Sequence, residues 1–305
     1  MVGLLFPGQG VQYVEMGKDL YETFPQAKDV FSKADQVLGF NLSDICFEGP
    51  IEELTKSKIC QPAILTASIA AWEALKTSSR LQITDYNYAV GLSLGEYSAL
   101  VAAGSISFED AVYLVHKRGE FMDEASIKNP GRMAAVIGLT KENVSLLCKQ
   151  ANVEPANLNC PDQIVVSGSI EAIDNLKEIA VSLGAKKVIA LATSGAFHSS
   201  FMQEASDKLK ILLDRITINN PVVPVISNFT AVIEDSPDLI RQNLVKQLTG
   251  SVLWEDSVRF MIGKGIKNFY EVGPGRVLKG LMRKIDPEVN VINIEKKEDI
   301  SKLGV

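Results

Sequence analysis

The chain has 305 residues, of which 46% are hydrophobic and 22% are charged, and its net charge is −6. This composition supplies a large buried core and excludes intrinsic disorder, and the negative charge argues against nucleic acid as a partner. No apolar run approaches the ~18–20 residues of a membrane span. The opening Met1–Gly10 has no basic segment before its apolar stretch, so it predicts a first strand and not a signal peptide. We therefore expect a cytosolic (cytoplasmic) protein with no membrane contact.

Cysteine and histidine are too sparse and too scattered to predict a cross-link or a metal centre. No two cysteines form a C-x-x-C pair, and the chain has only two histidines. In a reducing compartment, such cysteines are expected to be free thiols inside the core. We expect no metal site and no redox cofactor. The four cysteines are Cys46, Cys60, Cys148 and Cys160.

Strand-like and helix-like segments alternate along the chain, which predicts an α/β fold with a central parallel sheet. The first elements are a strand at Gly3–Phe6, a helix at Gln61–Lys76, a strand at Tyr88–Val90, a helix from near Glu96 to about Gly104, and a helix at Phe108–Met122.

The middle of the chain has a different order, strand-helix-strand-strand-helix-strand, which is typical of a ferredoxin-like unit. Its predicted elements are Arg132–Leu139, Lys141–Ala151, Pro155–Asn159, Gln163–Ser167, Ile170–Leu183 and Lys186–Ala192. We expect residues 125–195 to form a small subdomain inserted into a larger one, which comprises residues 1–124 and 196–305. The larger part resumes with a helix at Phe201–Ile216, for which Ser200 and Gln203 are expected to form a capping box.

A G-x-S-x-G motif at residues 91–95 lies between a predicted strand and a predicted helix. In that context the sharp turn projects the hydroxyl of Ser93 as a nucleophile, and the flanking glycines avoid a steric clash. The N–H of Leu94, at the start of the helix, is placed to stabilise an oxyanion. Since the motif is common, an ordinary glycine-rich turn is the alternative.

A serine nucleophile needs a base, and His116 and His198 are the only candidates. His116 lies within a helix beside basic residues, and we interpret it as a solvated surface residue. His198 lies between a strand end and a helix start, where the helix dipole favours neutral imidazole. We therefore favour His198 as the base, with a hinge residue as the alternative.

Arg118 shares a helical stripe with apolar residues, and a buried arginine needs a partner. A structural Asp or Glu is the ordinary partner. The more specific alternative is a substrate carboxylate held by the two arms of the guanidinium.

Several motifs occur together in a fixed order. They are Phe6–Gly10, Gly91–Glu96, Lys117-Arg118-Gly119 with Met122, Ala196–Ser199, Gln247-Leu248 with Trp254, and Glu271–Gly275. Over essentially its full length, the chain closely resembles the malonyl-CoA:acyl carrier protein transacylases of bacterial type II fatty acid synthesis. Leu92 and Ala196 depart from residues frequent in that family (histidine and proline), whereas Leu94 and Phe197 fit its malonyl-selective pattern.

The resemblance implies a large α/β-hydrolase-like subdomain, a ferredoxin-like insertion, and a site between them. It implies that Ser93 is the nucleophile and His198 the base, with an oxyanion hole made by the N–H groups of Gln9 and Leu94. Arg118 is then the clamp for the malonyl carboxylate. Gln247 matches the residue whose backbone carbonyl orients the histidine.

The expected activity is S-malonyl transfer from malonyl-CoA to holo acyl carrier protein, without a cofactor, by a monomer. The alternatives are an acyltransferase that serves a polyketide synthase, a serine hydrolase or thioesterase, and a non-catalytic carrier-binding module. Basic residues near the cleft are candidates for carrier docking, namely Lys186, Lys187, Arg276, Lys279, Arg283 and Lys284.

Overall fold

The computed structural model describes residues 1–79 and 83–303 of the chain. Its strands are β1 Val2–Phe6, β2 Tyr88–Gly91, β3 Gly131–Ile137, β4 Glu154–Cys160, β5 Gln163–Ser169, β6 Lys187–Ala190, β7 Val225–Ile226, β8 Ile233–Glu234, β9 Asn268–Val272 and β10 Asn290–Ile294. Its helices are α1 Lys18–Thr23, α2 Pro25–Leu38, α3 Leu42–Glu48, α4 Ile51–Leu54, α5 Ser57–Ser79, α6 Gly95–Ala102, α7 Phe108–Lys128, α8 Lys141–Ala151, α9 Ile170–Ser182, α10 Gln203–Leu213, α11 Pro237–Gln247, α12 Trp254–Gly263, α13 Val277–Ile285 and α14 Lys297–Ser301. Short 3-10 turns lie at Ile83–Asp85 and Ser200–Met202.

The larger sheet has the strand order β10-β9-β1-β2-β7-β8 and is parallel except for the β7–β8 pair. The first strand lies inside it, and Leu4, Leu5 and Phe6 are fully buried, as expected for a strand covered on both faces. Phe6 is in register with Gly91. Because parallel strands end at the same edge, the loop after β1 meets the turn after β2. The predicted central parallel sheet is therefore confirmed.

The smaller sheet is antiparallel, with the order β4-β5-β3-β6. Its strands occur along the chain with α8 after β3 and α9 after β5, which is the predicted βαββαβ order. A separate apolar cluster that includes Val136, Leu147, Val166 and Leu176 packs the two helices on one face of this sheet. The ferredoxin-like part of the predicted fold class is confirmed.

The two sheets are joined through β4 and the segment before α12. The N–H of Leu158 donates to the carbonyl of Val252, and the N–H of Val252 donates to the carbonyl of Ala156. We keep the boundaries 1–124, 125–195 and 196–305 as a proposal. Residue 125 falls inside α7, and residues 80–82 and 304–305 of the proposed larger subdomain lie outside the described residues.

Three local predictions need correction. The helix predicted from Gln61 begins one turn earlier, at Ser57, and α7 continues to Lys128. The predicted capping box is wrong, because Ser200 donates its hydroxyl to Glu154 and Gln203 donates to Asp207. A 3-10 turn therefore precedes α10.

The turn at residues 91–95 depends on the absence of two Cβ atoms. A Cβ at Gly91 would lie 1.8 Å from the carbonyl carbon of Gly95, and one at Gly95 would lie 2.2 Å from the carbonyl oxygen of Phe6. Both contacts are with backbone, which cannot move aside without breaking the register of β1 and β2. Ser93 itself has a φ of 52°, which is an unfavourable conformation for a residue with a side chain. The turn is thus sharp and closely packed.

We expect Gly91→Ala to lower the free energy of unfolding by about 3 kcal/mol, because the new methyl group overlaps the backbone of the turn. The matched control is Gly280→Ala on α13, where an added Cβ meets no atom within 4 Å. That variant is expected to gain about 0.5–1 kcal/mol from helix propensity. Urea denaturation of both variants measures the difference, and equal stability of the two would contradict the prediction.

Candidate active site

Ser93 and His198 form a hydrogen-bonded pair. The Oγ of Ser93 lies 2.8 Å from the Nε2 of His198, and the Nδ1 of His198 lies 2.7 Å from the backbone carbonyl oxygen of Gln247. Since a carbonyl can only accept, Nδ1 carries the ring proton. The lone pair on Nε2 is then free to accept the Ser93 proton, which is the arrangement that a general base requires.

His198 is held by the turn that connects the smaller sheet to α10. Its φ is 56°, so the histidine, like Ser93, has a left-handed backbone. Ser167 donates its hydroxyl to the carbonyl of Phe197 at 2.5 Å, and Ser199 donates to that of Ala196 at 2.6 Å. These buried bonds fix the turn on both sides of the histidine. Strained residues of this kind cluster at functional sites.

Burial of the imidazole, together with the nearby charge of Arg118, lowers the pKa of His198 to about 4, against the opposing effect of the Gln247 carbonyl. His198 is only 6% exposed, so its charged form would lose most of its hydration. The imidazole is therefore neutral at neutral pH.

Arg118, on α7, is 1% exposed. Its Nη1 donates to the Oε1 of Gln61 at 2.7 Å, and its Nη2 donates to the Oε1 of Gln247 at 3.0 Å and to the Oγ of Ser93 at 3.2 Å. The guanidinium also lies 5.6 Å from the ring of Tyr97. Within residues 1–79 and 83–303, Arg118 has no ion pair with a carboxylate, and its Nε has no hydrogen-bond partner. Neutral oxygens thus hold a buried cation beside the nucleophile.

The side chain of Gln247, on α11, has contacts that the sequence did not predict. Its Nε2 donates to the carbonyl of Ser93 at 3.0 Å and to the Oε2 of Glu96 at 2.6 Å. Together with its bonds to Arg118 and His198, these make Gln247 a common partner of three predicted site residues. Only its backbone carbonyl was expected to matter.

Asn228 is a second residue that the sequence analysis missed. Its Oδ1 accepts from the N–H of Ser93 at 2.5 Å, and its Nδ2 donates to the carbonyl of Gly91 at 2.7 Å. This one buried amide therefore holds the turn at its first residue and at the nucleophile. It is 135 residues away from Ser93 along the chain and belongs to no recognisable motif, so only the tertiary structure identifies it.

The two backbone N–H groups expected to form an oxyanion hole belong to segments that meet beside Ser93. Leu94 has a helical backbone at the start of α6, and Gln9 lines the cleft in the loop after β1. Gly8 allows the close approach, because a Cβ there would lie 2.4 Å from the carbonyl oxygen of Leu92. In the described part of the chain, neither N–H donates a hydrogen bond. Both are available to a developing negative charge.

These groups open into a cleft of about 810 Å³ between the two sheets. The loops after β1 and β2, α7, the smaller sheet and α13 all contribute to its walls. Its apolar lining includes Met122, Met133, Val165, Phe197 and Leu281. A cleft of this size and character fits a small-molecule ligand.

The motif at residues 271–275 anchors α13, which forms one wall of the cleft. The carboxylate of Glu271 accepts from the N–H groups of Leu278 and Lys279 at 2.8 and 2.9 Å. Two N–H groups in the first turn of the helix are thereby satisfied. Gly273 has a φ of 127°, so the turn between strand and helix needs its conformational freedom. The motif is structural, and it positions the wall of the cleft.

Other predicted residues lie outside the Ser93–His198–Arg118 constellation. His116 lies partly exposed on α7, away from Ser93, and its Nδ1 is 2.7 Å from the carbonyl oxygen of Lys58. Lys187 pairs with Ile137, at the opposite end of β3 from the cleft-lining Met133. Neither Lys186 nor Lys187 is among the residues that line the cleft.

On α13, Lys284 donates to the Oε1 of the cleft-lining Gln163 at 2.8 Å. Over the described ranges, no group of three or more His, Cys, Asp or Glu residues could hold a metal ion, and no helix has the length and apolar character needed to cross a membrane. The four cysteines are free thiols, of which Cys148 is half-buried and the others are buried.

Comparison with known proteins agrees with this geometry. The malonyl CoA-acyl carrier protein transacylase of Bacillus subtilis (strain 168) is 45% identical over 304 residues, which are 98% of this chain and 95% of that protein. A solved transacylase of the same name from Coxiella burnetii has a TM-score of 0.95 and 36% identity, and the match covers 99% of this chain and 96% of that one. A malonyl-transacylase solved in complex with a type II PKS acyl-carrier protein has a TM-score of 0.95 and 37% identity, over 99% and 98% of the two chains.

The acyl transferase domain family matches residues 4–291. This range includes the whole smaller sheet, the larger sheet except for the start of β1 and the end of β10, and every residue of the serine, histidine and arginine cluster. On this match and the near full-length likeness to its relatives, the chain belongs to the acyl transferase domain family.

Proposed function

We propose that this chain transfers a malonyl group from malonyl-CoA to the phosphopantetheine thiol of acyl carrier protein, through an ester on Ser93. One observation carries the proposal: the Ser93 hydroxyl lies 2.8 Å from a neutral histidine base and 3.2 Å from a buried guanidinium. The first contact supports acyl transfer, and the second supports an acyl group that ends in a carboxylate. The names of the relatives support the same substrate and carrier.

In the first half-reaction, the Oγ of Ser93 attacks the thioester carbonyl and its proton passes to the Nε2 of His198. The carbonyl becomes a tetrahedral oxyanion, which the N–H groups of Gln9 and Leu94 stabilise. The bond to sulfur then breaks, and the coenzyme A thiolate takes the proton from Nε2. The products are a malonyl ester on Ser93 and free coenzyme A.

In the second half-reaction, the carrier thiol gives its proton to the neutral His198 and attacks the ester carbonyl. The same N–H groups stabilise the second oxyanion. Cleavage of the C–O bond returns the proton from His198 to Ser93. Every proton is thus exchanged between the sulfur, the serine and one histidine, and the sequence of steps runs equally well in reverse.

Arg118 supplies the selectivity. Its guanidinium is held by the side-chain oxygens of Gln61 and Gln247, which are neutral and leave its charge available to a carboxylate. A malonyl carboxylate is one CH₂ group away from the reacting carbonyl, and the guanidinium lies within hydrogen-bond distance of the attacking Oγ. An acetyl group cannot make that charge-assisted contact.

We place the enzyme in the cytosol and assign its carrier to fatty acid synthesis. A polyketide carrier is the second candidate, because one structural relative was solved with such a carrier. The Ser93 chemistry is identical for both carriers. A hydrolase is disfavoured, because a buried cation beside the nucleophile has no role in hydrolysis of neutral esters.

Incubation with malonyl-CoA is expected to add one malonyl group to Ser93, because the hydroxyl is already bonded to its base. Intact-mass measurement and peptide mapping detect the ester, and Ser93→Ala is the control that should show none. Addition of holo acyl carrier protein should then remove the adduct. Accumulation of free malonate without carrier would contradict transfer and favour a hydrolase.

Arg118→Ala is expected to lower kcat/KM for malonyl-CoA by about 100-fold, since it removes hydrogen bonds between a charged donor and a charged acceptor. The kcat/KM for acetyl-CoA should fall little, because the acetyl group does not contact the guanidinium. Discrimination between the two thioesters therefore falls. Lys117→Ala is the matched control, because that half-buried neighbour on α7 pairs with Glu120 outside the cleft. Unchanged discrimination in Arg118→Ala would refute the clamp.

The rate of Ser93 acylation is expected to stay constant from about pH 8 to about pH 6 and to fall only near the His198 pKa of about 4. The base must be neutral to accept a proton, and the lowered pKa keeps it neutral well below the ordinary range of histidine. Reaction with a neutral sulfonyl fluoride measures this without a charged substrate. In Arg118→Met the midpoint should rise, because a repelling charge is gone. A wild-type midpoint near the ordinary histidine value would contradict the prediction.

A further inference from the structure

Two buried carboxyl groups lie close to the residues that hold the backbone of Ser93. Glu96, on α6, and Glu234, on β8, are both fully buried, and their carboxyl groups interact closely enough to shift each other's pKa. The Oε1 atom of each has no hydrogen-bond partner among the described residues. Two carboxylate oxygens in contact repel unless a proton lies between them. One proton shared by the two Oε1 atoms would remove that repulsion and give each of them a partner.

The remaining oxygens of the pair face amide donors. The Oε2 of Glu96 accepts from the Nε2 of Gln247 at 2.6 Å and from the N–H of Asn228 at 3.1 Å. The Oε2 of Glu234 accepts from the Nδ2 of Asn243 at 3.0 Å. Since these atoms must accept, the shared proton belongs on the two Oε1 atoms. This assignment leaves every oxygen of the pair with a partner.

Through these two donors, the pair reaches both sides of Ser93. Asn228 accepts from the Ser93 N–H, and Gln247 donates to the Ser93 carbonyl. Glu96 is thus bonded to each of the residues that hold the backbone of the nucleophile in its left-handed conformation. The contact with Glu96 also turns the Oε1 of Gln247 towards Arg118.

The charge of the pair matters as much as its contacts. Among the described residues, Arg118, on α7, and Tyr97, on α6, also interact with it electrostatically. Burial raises the pKa of both carboxyls, and the charge of Glu96 raises that of Glu234 further. One shared proton leaves one negative charge, which balances the guanidinium. A second negative charge would oppose entry of a substrate carboxylate, and none would leave the cation unbalanced.

We propose that Glu96 and Glu234 form a proton-sharing carboxyl pair that positions Ser93 through Asn228 and Gln247 and keeps Arg118 available to the acyl carboxylate. Both are positioning residues, because neither touches the reacting atoms. The consequence for selectivity rests on the proposed malonyl transfer, whereas the shared proton and the support of Ser93 do not.

Infrared difference spectra between wild type and Glu96→Gln, and between wild type and Glu234→Gln, test the shared proton without any substrate. The wild type should show the C=O band of a protonated carboxylic acid at neutral pH. Each variant should lack it, because the remaining carboxyl ionises and accepts from the new amide. Other buried acids cancel in the difference. Persistence of the band in both variants, or its absence from the wild type, overturns the proposal.

Kinetics of Ser93 with a neutral sulfonyl fluoride and with malonyl-CoA test the positioning. Each single variant keeps one negative charge and one bridging hydrogen, so the rate at which Ser93 reacts should fall by about 10-fold or less. The double variant keeps no charge. The factor by which its rate falls should exceed the product of the factors for the two single variants by at least about tenfold. Glu255→Gln, a buried carboxylate on α12 outside the cleft, controls for general destabilisation. If the loss of rate in the double variant equals the product of the losses in the two single variants, the proposal is overturned.

The two readouts separate this inference from the proposed function. If the infrared band and the sulfonyl fluoride kinetics behave as expected while malonyl-CoA leaves no ester, the carboxyl pair stands and the malonyl assignment fails. If the malonyl ester forms and both single variants retain the acid band, the function stands and the pair fails.

Discussion

A permanent positive charge in the interior, next to the nucleophile, is the constraint on which the rest of the site depends. The guanidinium of Arg118 has lost its hydration and must be held by protein groups. If a carboxylate formed a direct ion pair with Arg118, that carboxylate would neutralise the guanidinium and occupy the place of a substrate anion. The structure instead uses two glutamine oxygens and the Ser93 hydroxyl, so the guanidinium is held in place and still able to bind an anion.

The same charge lowers the pKa of the neighbouring base and of the neighbouring acid alike. It lowers the pKa of His198, which keeps the base neutral, and it opposes the rise in the pKa of Glu96 that burial causes. One cation therefore helps to set the protonation of His198 and of the Glu96–Glu234 pair. Burial makes each effect large, because little water remains to screen the charge.

Both reacting residues have a strained backbone. Ser93 and His198 both have positive φ values, at a typical cost of about 1–3 kcal/mol each. Side chains distant in sequence offset this cost, with Asn228 and Gln247 bound to the serine turn and Ser167 to the histidine turn. The nucleophile and base are thus held at hydrogen-bond distance before any substrate arrives.

The sequence by itself determined the features that depend on local chemistry. The two glycines around Ser93, the alternation of strands and helices, the βαββαβ order and the apolar stripe around Arg118 are all short-range patterns, and each predicted its element. It also reduced the possible bases to two histidines. The ends of the helices were predicted less accurately. Packing against other elements extends α5 and α7, and the local sequence pattern does not show that packing.

Only the tertiary structure decided how the polar groups pair. Asn228, Glu234 and the side chain of Gln247 are far from Ser93 along the chain, and an isolated Asn, Glu or Gln has no periodicity that marks it as buried. Whether Arg118 faces a carboxylate or an amide likewise depends on which helices pack together. The sequence sets which groups exist, but burial and distance determine their charge and their partners, and both come from the fold.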